Sequence, residues 1–450
     1  MQEQTVFAPS TTVKHKQTTS EEQMKFNQWT LGLAAVGAIS LTSAARADDS
    51  APKLSQVNTA LSDTTLSGSV SVSGNVALNP TGAAYDSSFG NNSYNPVKIP
   101  FQSGKQDGFN LDVVRLTLAK PQDDSPWASG YQVDLMMGPD AVGYNPVSNG
   151  SYDGGVGFAI KQAYLALRTP VGNGIDWKIG VFDTVIGYEV TDAGSDPNYT
   201  RSFGYALEPT EHTGVLATYK INDMWTVSAG IANTLTPGIN TRNTSNNGPS
   251  GYWKKTLMGS VAVTAPSNWG WASGSMLYAG VVYGFNSGAY HDSDDASDGQ
   301  ASGFAAGDQF NGYAGATLNT PLKALTLGAA FDYVQNLGGG SGDDNFDYHT
   351  DVYVIGLYAN YKVTDKLSLN ARGEYAHAKN IGQSNYANAE SNYGYSYNND
   401  AYELTGTVEY DLWANVISRV EIRWDHLSTP NYGDFNRSTL GLYANLIYKF

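Results

Sequence analysis

The sequence predicts an all-β fold: a transmembrane antiparallel β-barrel of about 16 strands, with long extracellular loops and short periplasmic turns. Three observations predict it. Apolar and polar residues alternate with period two along the chain, the links between these segments alternate long and short, and the N-terminus is patterned for export. Composition agrees. The 450 residues include 49 glycines and 30 tyrosines, while only 15% are charged, against about a quarter in ordinary globular chains. Such a chain suits strands joined by tight turns and ringed by aromatic belts.

The first element is the export segment. Met24 and Lys25 precede the apolar run Leu31–Ile39, and Ala45-Arg46-Ala47 follows. A basic start, a short apolar core and an A-x-A site form a secretory signal, and the core is too short to span a bilayer, which takes about 20 residues. Cleavage is expected after Ala47, with residues 1–23 an upstream extension, 48–64 a short periplasmic segment and 65–450 the barrel. Residues 1–47 carry four of the 26 Lys/Arg and three of the 42 Asp/Glu, so the formal charge of −16 becomes −17 after cleavage.

The strands follow, read near 66–78, 109–119, 130–137, 158–168, 175–182, 213–221, 224–234, 255–264, 271–284, 310–319, 324–335, 351–362, 366–376, 401–410, 414–425 and 437–449. The last is the clearest: Leu442, Ala444, Leu446, Tyr448 and Phe450 share one face, and Gly441, Tyr443, Asn445 and Ile447 the other. Tyr448 and the terminal Phe450 resemble the C-terminal signal read by the outer-membrane assembly machinery. Val420, Ile422 and Trp424 likewise oppose Arg419, Glu421, Arg423 and Asp425.

Alternation alone also fits a soluble sandwich; link lengths separate the two. Links after odd strands are mostly long (79–108, 138–157, 183–212 and onward), and those after even strands mostly short, such as Asn319–Lys323, Val363–Lys366 and Asp411–Trp413. Long outer loops and short periplasmic turns are the bacterial barrel pattern, and an even strand count leaves both termini in the periplasm. Backbone groups in lipid need internal partners, so the sheet must close. Sixteen strands enclose more space than their own side chains fill. Tyr375, Tyr402, Tyr410, Trp424 and Tyr448 fall near strand ends, where amphipathic rings form girdles.

Several classes are excluded. The acidic charge speaks against nucleic acid. There is no cysteine, and the six histidines lie in no H-E-x-x-H or G-x-S-x-G context, so no catalytic residues, cofactor or metal site are expected. The acidic outer segments around Asp294–Asp298 and Asp343–Asp347 read as solvated loops.

One stretch carries a family resemblance: Gln162-Ala163-Tyr164, Lys178 through Thr184, Gly187-Tyr188-Glu189, Asn198 through Ser202 and His212-Thr213-Gly214, with Arg419 through Asp425 near the end. These resemble the β-barrel porin-2, OmpL-like group. The resemblance implies a single outer-membrane barrel passing ions and small hydrophilic solutes, with lipid, lipopolysaccharide and the assembly machinery as partners. A homotrimer is expected by analogy with sixteen-stranded porins. In general porins the third outer loop folds inward. Here that loop contains Gly187, Gly194 and Gly204 and charges of both signs. The expected constriction set is Glu189, Asp192, Asp196, Arg201 and Glu208 on the loop, facing Arg372, Glu374, Arg419, Glu421 and Arg423 on the wall. Acidic lumen positions Glu374, Glu403, Glu409 and Glu421 suggest a mild cation preference; alternatives are an occluded surface barrel or a substrate-specific channel.

Overall fold

The computed structural model describes residues 63–78, 105, 107–144, 157–235, 238–239, 254–285, 308–337, 347–383, 396–428 and 438–450. The expected export segment, nearly all of the 48–64 stretch and the acidic outer-loop segments lie outside the described residues.

Sixteen strands form one closed antiparallel barrel. They are β1 (Thr65–Ala77), β2 (Gly108–Lys120), β3 (Ser129–Met137), β4 (Phe158–Thr169), β5 (Ile175–Asp183), β6 (Glu211–Lys220), β7 (Trp225–Ala232) and β8 (Thr256–Thr264). The second half is β9 (Met276–Gly284), β10 (Asp308–Asn319), β11 (Leu325–Leu337), β12 (Asp347–Lys362), β13 (Leu367–Gln383), β14 (Ser396–Trp413), β15 (Val416–Leu427) and β16 (Ser438–Lys449). Each strand pairs with its sequence neighbours, and β16 closes the ring on β1 with Ser69 opposite Lys449 and Val76 opposite Leu442. Phe450 completes the seam: its N–H donates to Gly68 O at 3.0 Å, and Gly68 N–H donates to Phe450 O at 2.9 Å.

The alternation sorts side chains as the bilayer demands. Leu442, Leu446 and Tyr448 on β16 point outward and exposed, while Tyr443, Asn445 and Ile447 are buried. On β1, Val72 and Val76 face out and Ser69, Ser71, Ser73 and Asn75 face in. The apolar surface that would be a liability in water is the lipid contact.

Several strand boundaries differ from the sequence reading: β12 starts at Asp347 rather than 351, β13 runs on to Gln383 rather than 376, β14 starts at Ser396 rather than 401, and two turns move. β9 starts at Met276 rather than 271, because Ser267–Ala272 winds into a 3-10 turn and Gly270 and Gly274 take positive φ of 62° and 78°. The expected Asp411–Trp413 turn is strand instead. The chain reverses two residues later, where Asn415 adopts φ 65°, a left-handed conformation asparagine tolerates.

Three bulges interrupt the ladder, and two matter inside. At Ser71/Val72 of β1 the opposing β2 carries an extra residue, as does β4 opposite Asp134/Leu135 of β3. These bulges deliver Asp112 and Lys161 into the interior, both fully buried. Re-aiming a side chain is what a bulge does.

Candidate functional site

The 184–210 loop between β5 and β6 leaves the extracellular rim, enters the barrel and descends nearly to its periplasmic end. Its tip, Asp192–Ser195, meets Lys449, Arg419 and Arg115. Apolar packing seats the first limb: Val185 and Ile186 join Leu216, Met258, Met276, Tyr278 and Val282 in one buried cluster, and Tyr188 stacks on Tyr358 with centroids 4.1 Å apart. On the return limb, Ser202 caps the short helix α1 (Phe203–Leu207), its Oγ accepting from Tyr205 N–H at 3.0 Å. Tyr205 packs on Val113, Met136, Ala159 and Ala141, the last from the 3-10 turn Pro139–Tyr144.

Polar bonds then lock the loop to β13–β15. Arg372 is the hub: its guanidinium donates to Glu189 at 2.7 Å, to Glu403 at 3.2 and 3.3 Å, and to Thr200 O at 2.6 Å and Arg201 O at 3.3 Å. A planar five-donor fork is suited to binding two carboxylates and two carbonyls at once. Arg419 binds Glu409 at 2.9 Å and donates to Ala193 O at 2.6 Å and to Asp196 O. Arg423 is held by Asp425 and donates to Arg201 O at 2.5 Å. The acids work in the opposite sense. Glu421 accepts the Tyr199 and Thr200 N–H groups at 2.6 and 2.9 Å, and Glu374 those of Phe203 and Gly204 at 2.7 and 3.2 Å. Within the loop, Asp196 pairs with Arg201 and accepts from Val190 N–H at 2.9 Å, while Glu189 accepts from Ser202 N–H at 3.0 Å.

Two loop acids remain half-buried. Burial alone would raise Asp192, but Lys449 at 3.4 Å, Arg115 at 3.9 Å and the Ser195 hydroxyl at 2.6 Å hold it well below the usual carboxylate range. Glu208 goes the other way: burial, and the Asp332 carboxyl facing it, push it well above that range. Gly187, at φ 124°, leaves room for this acid, because a Cβ there would fall on the Glu208 carboxylate.

Eight of the ten expected loop and wall residues meet on β13–β15, whereas Asp192 sits at Lys449 and Arg115 and Glu208 faces Asp332. The eight are sealed from water; Asp192 and Glu208 keep partial exposure. The four acids behind the expected cation preference, Glu374, Glu403, Glu409 and Glu421, are at most 7% exposed. Sequence reasoning missed the second anchor. Tyr199 donates to Ser73 at 2.8 Å and lies 3.0 Å from Asp112, while Lys105 reaches Asp112 at 3.0 Å and Asp140 at 2.7 Å. Asn198 and Asn370 add bonds to Thr407 and Pro197 O, each of 2.7 Å. The Asn198–Ser202 motif signalled this region, but only the fold brings its partners in from 126 and 222 residues away. Among the described residues no group of three His, Asp or Glu side chains is placed to hold a metal.

A ring of sixteen tilted strands, greasy outside and polar within, needs an inserted loop to narrow it, which is the build of an outer-membrane porin, a passive channel. The chain belongs to the family described as "Putative beta-barrel porin-2, OmpL-like", whose model matches residues 64–450. Among solved structures it is similar in fold to the in-vitro folded OmpT of Vibrio cholerae in its trimer form (14% identity, TM-score 0.52, covering 86% of this chain and 99% of that one). It is also similar to the outer membrane channel DcaP of Acinetobacter baumannii (14%, 0.50, 86% and 97%) and to an anion-selective porin from Comamonas acidovorans (12%, 0.50, 86% and 99%). No curated protein matches the chain.

Proposed function

We propose that the 184–210 loop sets the bore of this porin, and that Glu189, Asp192, Asp196, Arg201 and Glu208 with Arg372, Glu374, Arg419, Glu421 and Arg423 are the residues that fix it there. The observation carrying this reading is the set of four loop N–H groups received by Glu421 and Glu374 on the wall. Charge-assisted bonds of this kind are about twice as strong as neutral ones, and four of them hold backbone, not a mobile side chain. The channel then passes ions and small hydrophilic solutes by diffusion without catalysis. We carry over from the Vibrio structure's trimer form the reading that three copies assemble side by side in the outer membrane.

Deleting residues 190–208 tests the role of the loop: single-channel conductance in a planar bilayer rises. Unchanged conductance removes the loop from the bore, and an intact chain giving no open-channel steps favours an occluded surface barrel.

A further inference from the structure

The side chains beneath the loop on β13–β15 are buried. The periplasmic half of β3–β5 is different. Gln132, Tyr164 and Lys178 point inward, where each is only partly buried. They form one shelf: Tyr164 OH donates to Gln132 Oε1 at 3.0 Å, and Lys178 Nζ sits 4.9 Å from the Tyr164 ring centroid. The loop tip borders this shelf, since Asp192 approaches Arg115, which binds Asp134 two residues from Gln132 on β3.

Charge bookkeeping sets Lys178 apart. The other inward-facing arginines and lysines of the strands are each within 4.0 Å of a carboxylate, from Lys161 on Glu211 and Arg168 on Asp176 to Arg372, Arg419 and Arg423. Among the described residues Lys178 has an aromatic ring and no carboxylate. A paired charge presents a dipole whose field dies quickly, while an unpaired one in a narrow passage acts on every passing ion.

We infer that the water-filled path hugs the β3–β5 wall beside the loop tip, and that Lys178 is its specificity-determining side chain, drawing small hydrated anions. This rests on the reading that the 184–210 loop narrows the channel.

The chain contains no cysteine, so Lys178→Cys gives a single target for an anionic methanethiosulfonate reagent applied during bilayer recording. Current through this variant drops on reagent addition, while Thr405→Cys, sealed behind the loop, does not respond. In a KCl gradient the chloride-to-potassium permeability ratio falls severalfold in Lys178→Gln, whose side chain packs alike, and falls further in Lys178→Glu. A conducting protein whose Lys178→Cys current ignores the reagent, or whose reversal potential is the same in Lys178→Gln, overturns this inference alone. A wild-type protein that does not conduct overturns the channel reading and this one with it.

Discussion

Removing the Arg372 guanidinium should release the loop while leaving the barrel closed. In Arg372→Met the carboxylates of Glu189 and Glu403 lose their cation, and the carbonyls of Thr200 and Arg201 lose a donor. Stripping one partner from a fully buried ion pair costs about 3–5 kcal/mol. The loop can escape that cost by undocking into water, so it appears as a shift in the docked-to-undocked ratio of roughly a hundred- to several-thousand-fold. The strand ladder is untouched, so the barrel should stay closed and its β-signal in detergent should be retained at room temperature. Single-channel conductance should rise and flicker, and trypsin should cut at Arg201, which is buried in the docked loop. In Glu189→Gln/Arg372→Met the penalty should be smaller than in Arg372→Met alone, because one stranded charge is gone. Wild-type conductance together with an uncut Arg201 in folded Arg372→Met protein would refute the reasoning.

Three further outcomes follow from the same contacts. Burial and Asp332 raise Glu208 in the docked loop; an acid raised in the docked state binds more protons there than when released. Docking is therefore strongest below the ordinary glutamate range and weakens as pH rises through the elevated value. Gating events should become more frequent as pH rises above the ordinary glutamate range, and Glu208→Gln should flatten that dependence. Tyr199→Phe loses the hydroxyl shared with Ser73 and Asp112 and should cost about 1–3 kcal/mol of docking, read by trypsin susceptibility of the loop. Val420 faces lipid midway between Val416 and Trp424 and is 55% exposed, so Val420→Lys should cost about 2–4 kcal/mol in urea titrations of folding into vesicles.

Sixteen strands were legible in the sequence because two solvents, lipid outside and water inside, enforce alternation on every one of them. The inward course of the third loop was expected from its glycines and its charges of both signs, and its charged partners on β13–β15 lay on the polar face of clear strands. Three things were not legible. A bulge adds one residue without breaking a short alternating run, so Asp112 and Lys161 gave no sign of reaching the interior. The reversal at Asn415 was read too early because Asp411 and Trp413 interrupt no periodicity once β14 carries its own bulge. The water exposure of a charge is set by what packs on it, so Glu374 and Glu421 read as lining residues although each is spent on the loop backbone. Lys178, in a quoted family motif, drew no functional reading for the converse reason: only the structure shows that nothing acidic stands beside it among the described residues.

The wall beneath the loop is not self-sufficient, and this bears on the deletion test. Glu374 on β13 is the direct cross-strand partner of Glu403 on β14, which in turn faces Asp425 on β15. Three carboxylates thus form one row, with Arg372 and Arg423 in the row below. Like charges directly opposite across a ladder are destabilising; Arg372 and Arg423 hold Glu403 and Asp425, and Phe203 and Gly204 of the loop present N–H groups to Glu374. Deleting 190–208 removes those donors along with the obstruction. The deletion variant should therefore conduct more but melt lower than wild type, and adding Glu374→Gln, which neutralises one end of the row, should recover part of the lost melting temperature without reducing conductance. If Glu374→Gln gives no recovery in the deletion variant, the loop is only an obstruction, and the carboxylate row is stable without it.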